Sequence, residues 1–246
     1  MRLTHDRYVE LLRADAALLT AAAGRGLDAA VPTCPGWSVG DLAEHVAEVY
    51  RHKVACIREQ DFPDPWPPDR GDQPTLPYLN DGLDQLVTEL TTHDPLRFAA
   101  TWWWDERTVG FWGRRMAHET AIHRIDAELA HGVSAPVHEE LALDGIDEVL
   151  RRFLAGDWSD EPVDDRPGTI VRVRSADEAW RIVMEPAAIV AQVDRWPDEP
   201  VQAVLTGDPV PLYLWLWGRG PDDSLVVEGE QAAVDHLAGR MRPATQ

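Results

Sequence analysis

Two side chains one helical turn apart carry the clearest chemical signal in this sequence. Glu119 and His123 lie four residues apart in a segment that runs from Arg115 to Glu128. Residues at this spacing project from one face of an α-helix, with Cβ atoms about 6 Å apart, and can hold one metal ion together. The metalloprotease helix motif has a histidine in place of the glutamate, so the pattern here is a different one. A third ligand has to come from another helix.

His45 is the best candidate for that third ligand. Leu42 and Val46 flank it on the apolar side of a predicted helix. Two histidines and one glutamate leave a fourth coordination position open, as in catalytic rather than structural zinc sites. His52 lies two turns further along a similar face and could substitute for His45. His118 points about 100° away from its neighbour Glu119 and is not expected to be a ligand.

The same residues also have an interpretation without a metal. Glu119 and His123 could form an ion pair on the protein surface, and His45 could be a hydrogen-bonded core histidine. Asp126 could hydrogen-bond a ligand histidine, but we expect it to face solvent. Arg124 directly follows His123, so it is predicted to point away from the metal face.

Hydrophobic spacing predicts the helices that must position these residues. Ser38 and Asp41 form a capping-box pattern at the start of the second helix, and Gly132 closes the fourth. The predicted helices span residues 4–23, 39–59, 78–92, 109–131 and 138–155. The proline-rich stretch 61–77 is predicted to be a loop.

The hydrophobic period changes in the last third of the chain. Residues 169–174 and 179–184 alternate with a period of two and predict a hairpin. Further strands are predicted at 188–193 and 225–227, and a closing helix at 230–241. The polar segment from Gly156 to Gly168 is the predicted boundary between a helical bundle of four or five helices (1–155) and a small α/β domain (166–246).

Composition excludes several classes of partner. The chain has 246 residues, 23 basic and 43 acidic, with a formal net charge of −20. Such a surface repels phosphate backbones and anionic lipid, so we expect neither nucleic acid nor membrane as a partner. Two cysteines are too few for a disulfide framework, and residues 1–30 lack the apolar run of a secretory segment. We therefore expect a cytoplasmic protein.

Three segments carry a resemblance to a known family. The segments Val31–Val46 and Ala117–Glu128 resemble two signature regions of the mycothiol-dependent maleylpyruvate isomerase family, and Leu214–Arg219 followed by Val226–Gly229 resembles its C-terminal pattern. The resemblance implies a DinB-like four-helix bundle that holds a divalent metal, usually zinc, followed by a small α+β domain. It places the family's metal ligands on His45, Glu119 and His123.

The resemblance also implies a chemistry. The cofactor expected in this family is the thiol mycothiol, which is used by actinobacteria. In the namesake reaction the thiol adds to the double bond of a cis-enedioate, rotation follows, and elimination gives the trans isomer. Related bundle enzymes use the same activation for S-transfer to an electrophile. The expected partners are therefore a small-molecule thiol and an electrophilic substrate, and the expected assembly is a monomer or small homo-oligomer.

Arg219 and Cys34 are two further candidates. The resemblance places an arginine at Arg219, where its guanidinium would bind a carboxylate on substrate or thiol as a catalytic and cofactor-binding residue. The alternative is a surface arginine after a glycine turn. Cys34 could be a catalytic nucleophile, because it precedes a helix N-terminus, a position that lowers thiol pKa values. Against this role, Pro35 follows it directly, and the resemblance implies that the Cys-Pro-Gly-Trp loop packs against the bundle. Trp37 and Trp102–Trp104 are expected to be core and pocket wall.

Two other functional classes stay open at this stage. Water at the open metal position would make a hydrolase such as an amidase. A bundle with a vestigial site would be a binding or regulatory protein. An anionic substrate would need a basic pocket, and Arg115, Arg124 and Arg219 are the available candidates.

Overall fold

The computed structural model describes residues 2–160, 166–220 and 222–245. The chain divides into two compact units between Pro136 and Val137. The first unit contains four helices: α1 (His5–Ala23), α2 (Val39–Arg58), α3 (Thr75–Thr92) and α4 (Val109–Ala130). In this unit α1 packs mainly against α4, and α2 packs against α3 and α4.

Local capping residues explain where the helices of the first unit begin. The Ser38 side chain accepts a hydrogen bond from the Asp41 backbone N–H, and the Asp41 carboxylate accepts one from the Ser38 backbone, so the predicted capping box starts α2. Thr4 and Thr108 cap α1 and α4 in the same manner through their hydroxyl oxygens. These caps satisfy N–H groups that have no partner inside the helix.

Helix α4 is buried on most of its circumference. Its buried residues include apolar side chains such as Trp112 and Ala121, and also charged ones such as Arg115, Arg124 and Asp126. Buried charges are stable only when they are paired, so the charged side chains of this helix must form ion pairs with each other or with neighbouring segments. The predicted functional residues Glu119 and His123 are not among the fully buried ones, and their side chains keep 16% and 14% of their surface exposed.

The second unit contains a helix, a six-stranded sheet and two further helices. Helix α5 (Glu139–Glu148) continues into a π-helical turn (Val149–Leu154) and packs against α6 (Pro209–Leu216). The strands are β1 (Gly156–Asp157), β2 (Thr169–Ser175), β3 (Glu178–Glu185), β4 (Ala188–Val193), β5 (Ala203–Thr206) and β6 (Val226–Gly229). Their order is β1-β4-β3-β2-β5-β6, in which only β2 and β5 are parallel. Helix α7 (Gln231–Ala244) packs against β2, β5 and β6.

The predicted fold class is confirmed, since a helical bundle precedes a small mixed α/β unit. Three elements were missed by the sequence analysis: β1, β5 and α6. Helix α5, which the sequence analysis grouped with the bundle, lies in the second unit because it packs against α6. Part of the predicted boundary segment, residues 161–165, lies outside the described residues. None of the described helices is both long and apolar enough to cross a membrane.

Candidate metal centre

The structure brings His45, Glu119 and His123 together. One potential ligand atom from each side chain lies within 4.8 Å of the others. The Nε2 atoms of His45 and His123 are 3.4 and 3.3 Å from the same oxygen, Oε1 of Glu119. Helix α2 therefore supplies one donor and α4 supplies two, which is the arrangement predicted from the i,i+4 spacing on α4. The Glu119 and His123 side chains are only 16% and 14% exposed, so they are not a surface ion pair.

Glu119 is held by charge on both sides. Its second oxygen, Oε2, accepts a hydrogen bond from Nη2 of Arg115 at 2.5 Å. Burial by itself raises the pKa of Glu119, but the charges of His123 and Arg115 lower it more, and the result lies well below the usual range. The carboxylate is therefore ionised and oriented, with Oε1 directed toward the two imidazoles.

His123 is oriented by a buried carboxylate on its other side. Its Nδ1 lies 3.1 Å from Oδ2 of Asp126, which leaves Nε2 to face Glu119 and His45. Burial lowers the pKa of His123, but the larger opposite effect of Glu119 and Asp126 raises it to about 9. Together with Arg115, the imidazolium of His123 balances the charges of the two carboxylates. Asp126 is fully buried, so the expectation that it faces solvent is wrong.

The loop before α2 explains why Asp126 is buried. Thr33 donates a hydrogen bond from its hydroxyl to Oδ1 of Asp126 at 2.5 Å, and Sγ of Cys34 lies 3.7 Å from Oδ2. The loop closes on itself, because the N–H of Val31 donates to the carbonyl of Trp37 at 2.9 Å. The Trp37 ring then contacts the His45 ring, with centroids 5.0 Å apart. The loop thus contacts residues on both helices of the site.

A second cluster of potential ligands shares His123. Cys34, His123 and Asp126 also place one ligand atom each within 4.8 Å of one another. Asp126 already accepts hydrogen bonds from Thr33 and His123 and is fully buried, whereas His45 is 37% exposed and borders solvent. The cluster with His45 therefore has the more accessible open side. In this arrangement Cys34 packs against the acidic group that orients a ligand.

The remaining candidates on the first unit lie elsewhere. His52 contacts the Trp66 ring, with centroids 4.8 Å apart, and Sγ of Cys56, at 3.3 Å, so it does not join the cluster. His118 is fully buried and contacts the Tyr8 ring. Arg124 points away from the metal face, as predicted, into a buried ion-pair network.

Arg219 lies in the second unit. It follows Gly218, whose φ of +69° favours glycine, and its Nη1 donates a hydrogen bond to the carbonyl of Trp217. Its backbone N–H donates to Leu214 at 2.7 Å. The residue is half-buried, and its role in binding substrate or thiol stays a prediction.

Three residues of the site were missed or misplaced by the sequence analysis. Asp126 was expected in solvent, Thr33 was not considered, and Arg115 was considered only as part of a basic pocket. The i,i+3 spacing of His123 and Asp126 was the one available signal, since residues three apart share a helical face. The contact of Thr33 with Asp126 joins residues 93 positions apart, which no local pattern could reveal.

Comparison with known proteins identifies the family. The family model described as mycothiol maleylpyruvate isomerase N-terminal domain matches residues 9–128, and the model for the C-terminal domain of the same enzyme matches residues 140–236. Together these models cover most of the chain. The chain belongs to the mycothiol maleylpyruvate isomerase family. The second match begins close to α5, in agreement with the division of the structure into two units.

Solved structures agree with this family assignment at the level of the fold. A crystal structure of the mycothiol-dependent maleylpyruvate isomerase has a TM-score of 0.63 and 14% identity, over 93% of this chain and 95% of that chain. A histidine-to-alanine mutant of that enzyme gives a TM-score of 0.61 with the same identity and coverage. A comparison with curated protein sequences gave no significant match.

The residues present fit a divalent cation. Two imidazole nitrogens and one carboxylate oxygen are the donors that zinc takes in catalytic sites, and three protein ligands leave a position for a small molecule. The raised pKa of His123 reflects a surplus of negative charge that a bound cation would balance in place of the proton. The hydrogen bonds from Arg115 to Glu119 and between His123 and Asp126 orient two of the three donors before any ion binds.

Proposed function

We propose that this member of the family is a metal-dependent enzyme that uses a low-molecular-weight thiol, mycothiol, as a nucleophile. Its substrate would be an electrophile, either a maleylpyruvate-like cis alkene that is isomerised or an acceptor that receives the sulfur. The observation that carries the proposal is the convergence of His45, Glu119 and His123 within 4.8 Å, with one side of the cluster open. The family assignment supports the identity of the thiol.

The chain's own residues have distinct tasks in this proposal. His45 and His123 offer Nε2 lone pairs, and Glu119 offers Oε1, as ligands of a divalent cation, for which zinc is the first choice. Bound there, the cation would favour the deprotonated form of a thiol near neutral pH. Arg115 holds the free oxygen of Glu119, and Asp126 holds the imidazole of His123, so the donors need little reorganisation.

The isomerisation is balanced without any external oxidant or reductant. Addition of the sulfur to one alkene carbon forms a C–S bond and converts the double bond to a single bond, while the adjacent carbonyl receives the electron pair. Rotation about that single bond changes the geometry, and loss of the same thiol restores the double bond. In the S-transfer alternative the C–S bond is kept, and the enolate carbon takes up the proton that the thiol released.

Metal stoichiometry in the tag-free protein is the first test. We expect elemental mass spectrometry to find about one divalent ion per chain in wild type and none in His123→Ala or Glu119→Ala. His138→Ala is the matched control, because this histidine is exposed and its side chain makes no capping hydrogen bond at the start of α5.

Activity measurements separate the proposal from its rivals. Mycothiol-dependent turnover should disappear together with the metal in the two variants and persist in His138→Ala. Full thiol-dependent activity in a metal-free variant would overturn the proposal. Turnover without any thiol would instead indicate a hydrolase, and a chain that binds no metal even when zinc is offered would indicate a binding protein.

A further inference from the structure

Most basic groups near the candidate metal centre are already neutralised. Arg115 is paired with Glu119, and Arg124 is paired with Asp15 and Glu128. The sequence analysis suggested these two arginines of α4 as a basic pocket for an anionic substrate. Because both are paired, neither is available to bind such a substrate. A further cation is Lys53, the single lysine of the chain, which lies on α2 eight residues after His45.

The Lys53 ammonium lies against an aromatic wall. Its Nζ is 4.7 Å from the ring centroid of Trp112 and 6.0 Å from that of Trp102. Trp112 is fully buried, whereas Trp102 is 42% exposed, so the wall reaches the surface at one end. Lys53 itself is half-buried. An ammonium in this position is partly desolvated.

No described residue neutralises this charge. Nζ lies 3.2 Å from Nδ1 of His52, and no ion pair between Lys53 and a carboxylate occurs in the described ranges. Burial and the charge of Lys53 lower the pKa of His52 to about 4, so His52 is a neutral acceptor at physiological pH. A neutral imidazole orients the ammonium without cancelling its charge.

Lys53 lies near Glu119 and Arg115, because α2 and α4 pack against each other. Trp112 precedes Glu119 by seven residues on α4, which places the two side chains on one helical face about 10 Å apart along the axis. Burial lowers the pKa of Lys53, and the nearby charge of Glu119 opposes that effect, while Arg115 adds to it. An unpaired cation and the open side of the metal site thus lie along the same pair of helices.

We propose that Lys53 is an anion-binding residue of this site and that it binds a carboxylate of the electrophilic substrate. A carboxylate at Nζ would restore the interactions that the ammonium loses on burial, and charge-assisted hydrogen bonds are among the stronger ones in proteins. The inference rests on the proposed function for the location of the reacting atoms. It adds a residue that recognises the carboxylate of such a substrate.

Binding of an unreactive dicarboxylate tests this role. Succinate should bind the zinc-loaded full-length chain, and its neutral analogue succinamide should bind much more weakly. We expect Lys53→Gln to weaken succinate binding on the order of tenfold, the typical effect of losing a hydrogen bond to a charged group. Lys53→Arg should keep most of the affinity, and Arg13→Gln, which removes an exposed charge from α1, should bind succinate as wild type does.

A spectroscopic readout avoids any substitution in the measured protein. Reductive methylation with ¹³C-labelled formaldehyde labels Lys53 and the terminal amine for NMR spectroscopy. The Lys53→Arg variant identifies which methyl signal belongs to the side chain. Saturating succinate should shift the Lys53 signal and leave the terminal one unchanged. A lysine with only a packing role would give no shift.

The outcomes distinguish this inference from the proposed function. Equal succinate affinity in wild type and Lys53→Gln, or no succinate binding by wild type, would overturn the role of Lys53 even if the metal and thiol activity are present. Succinate binding that depends on Lys53, in a chain that takes up no metal when zinc is offered, would support the inference and count against the proposed metal chemistry.

Discussion

At the scale of single residues, the orientation of His123 depends on a carboxylate that contacts no open part of the site. Asp126 lies on the far side of the imidazole from Glu119 and is hydrogen-bonded by Thr33. Such a carboxylate fixes the ring and raises the basicity of the ligating nitrogen. The metal affinity of this chain should therefore depend on a residue that never touches the metal.

Replacing Asp126 by Asn tests this dependence. We expect the dissociation constant for zinc to rise about 10- to 100-fold, because the amide keeps the size of the side chain but loses its charge. Competition with a chromophoric chelator measures the constant. Thr33→Val is the control, since it removes the hydrogen bond from Thr33 to Asp126 without touching His123, and it should have a much smaller effect. Equal affinities in wild type and Asp126→Asn would contradict the assigned role.

His52 gives a pH dependence of stability. Its pKa is about 4 in the folded chain, lowered from 6.5 by burial and by Lys53. In the unfolded chain the His52 imidazole is protonated more readily than in the folded chain. The free energy of unfolding should therefore fall as the pH decreases from 6.5 toward 4.

Urea unfolding of wild type and His52→Gln at several pH values isolates this contribution. Glutamine can still accept a hydrogen bond from Lys53 but does not titrate, so wild type should lose more stability than the variant across that interval. Carboxylates titrate in both proteins and cancel in the difference. Parallel pH profiles for the two proteins would show that the pKa of His52 is not lowered by folding.

At the scale of elements, a buried ion-pair network joins α1 to α4. Arg124 donates from Nε to Asp15 at 3.1 Å and from Nη1 to Glu128 at 2.8 Å, and it also donates to the carbonyl of Ala135. Only 1% of the Arg124 side chain is exposed. The network therefore links two helices and the segment that follows α4.

Replacing Arg124 by Met should remove the guanidinium that pairs with two buried carboxylates, Asp15 and Glu128. We expect a loss of about 3–5 kcal/mol in the free energy of unfolding, measured by chemical denaturation. Glu10→Gln is the contrast, because the Glu10 side chain is 68% exposed and pairs with exposed partners contribute about 1 kcal/mol or less. A cost of similar size in both variants would contradict the importance of burial.

The elements themselves differ in how well local patterns predict them. The four helices of the first unit were predicted to within a few residues at each end, because their caps and apolar spacing involve neighbours in the chain. Strand β5 has only four residues, and it forms by parallel pairing with β2 about thirty residues earlier. Helix α6 begins with Pro209 at its first turn, where proline is compatible with a helix.

At the scale of the whole molecule, the net charge of −20 does not describe the site. The candidate metal centre is governed by a few nearby groups: Glu119 and Asp126 provide negative charge, and Arg115 and Lys53 provide positive charge. An acidic protein can therefore offer a local cation to a carboxylate. The total charge affects the binding of partners as large as nucleic acid. The binding of a small molecule beside Lys53 depends instead on the charges that lie within a Debye length of it.

Local sequence patterns were enough to predict the helices of the first unit, the i,i+4 pair on α4 and the likeness to the family, because each depends on residues close together in the chain. The folded chain was needed to show that His45 meets this pair, that the loop at Thr33 buries Asp126, and that Lys53 lies beside an aromatic wall without an ion pair to any described carboxylate. It also decided that α5 belongs to the second unit. The physical reason is that burial and charge pairing depend on which helices pack together, and such contacts join residues that no short sequence pattern connects.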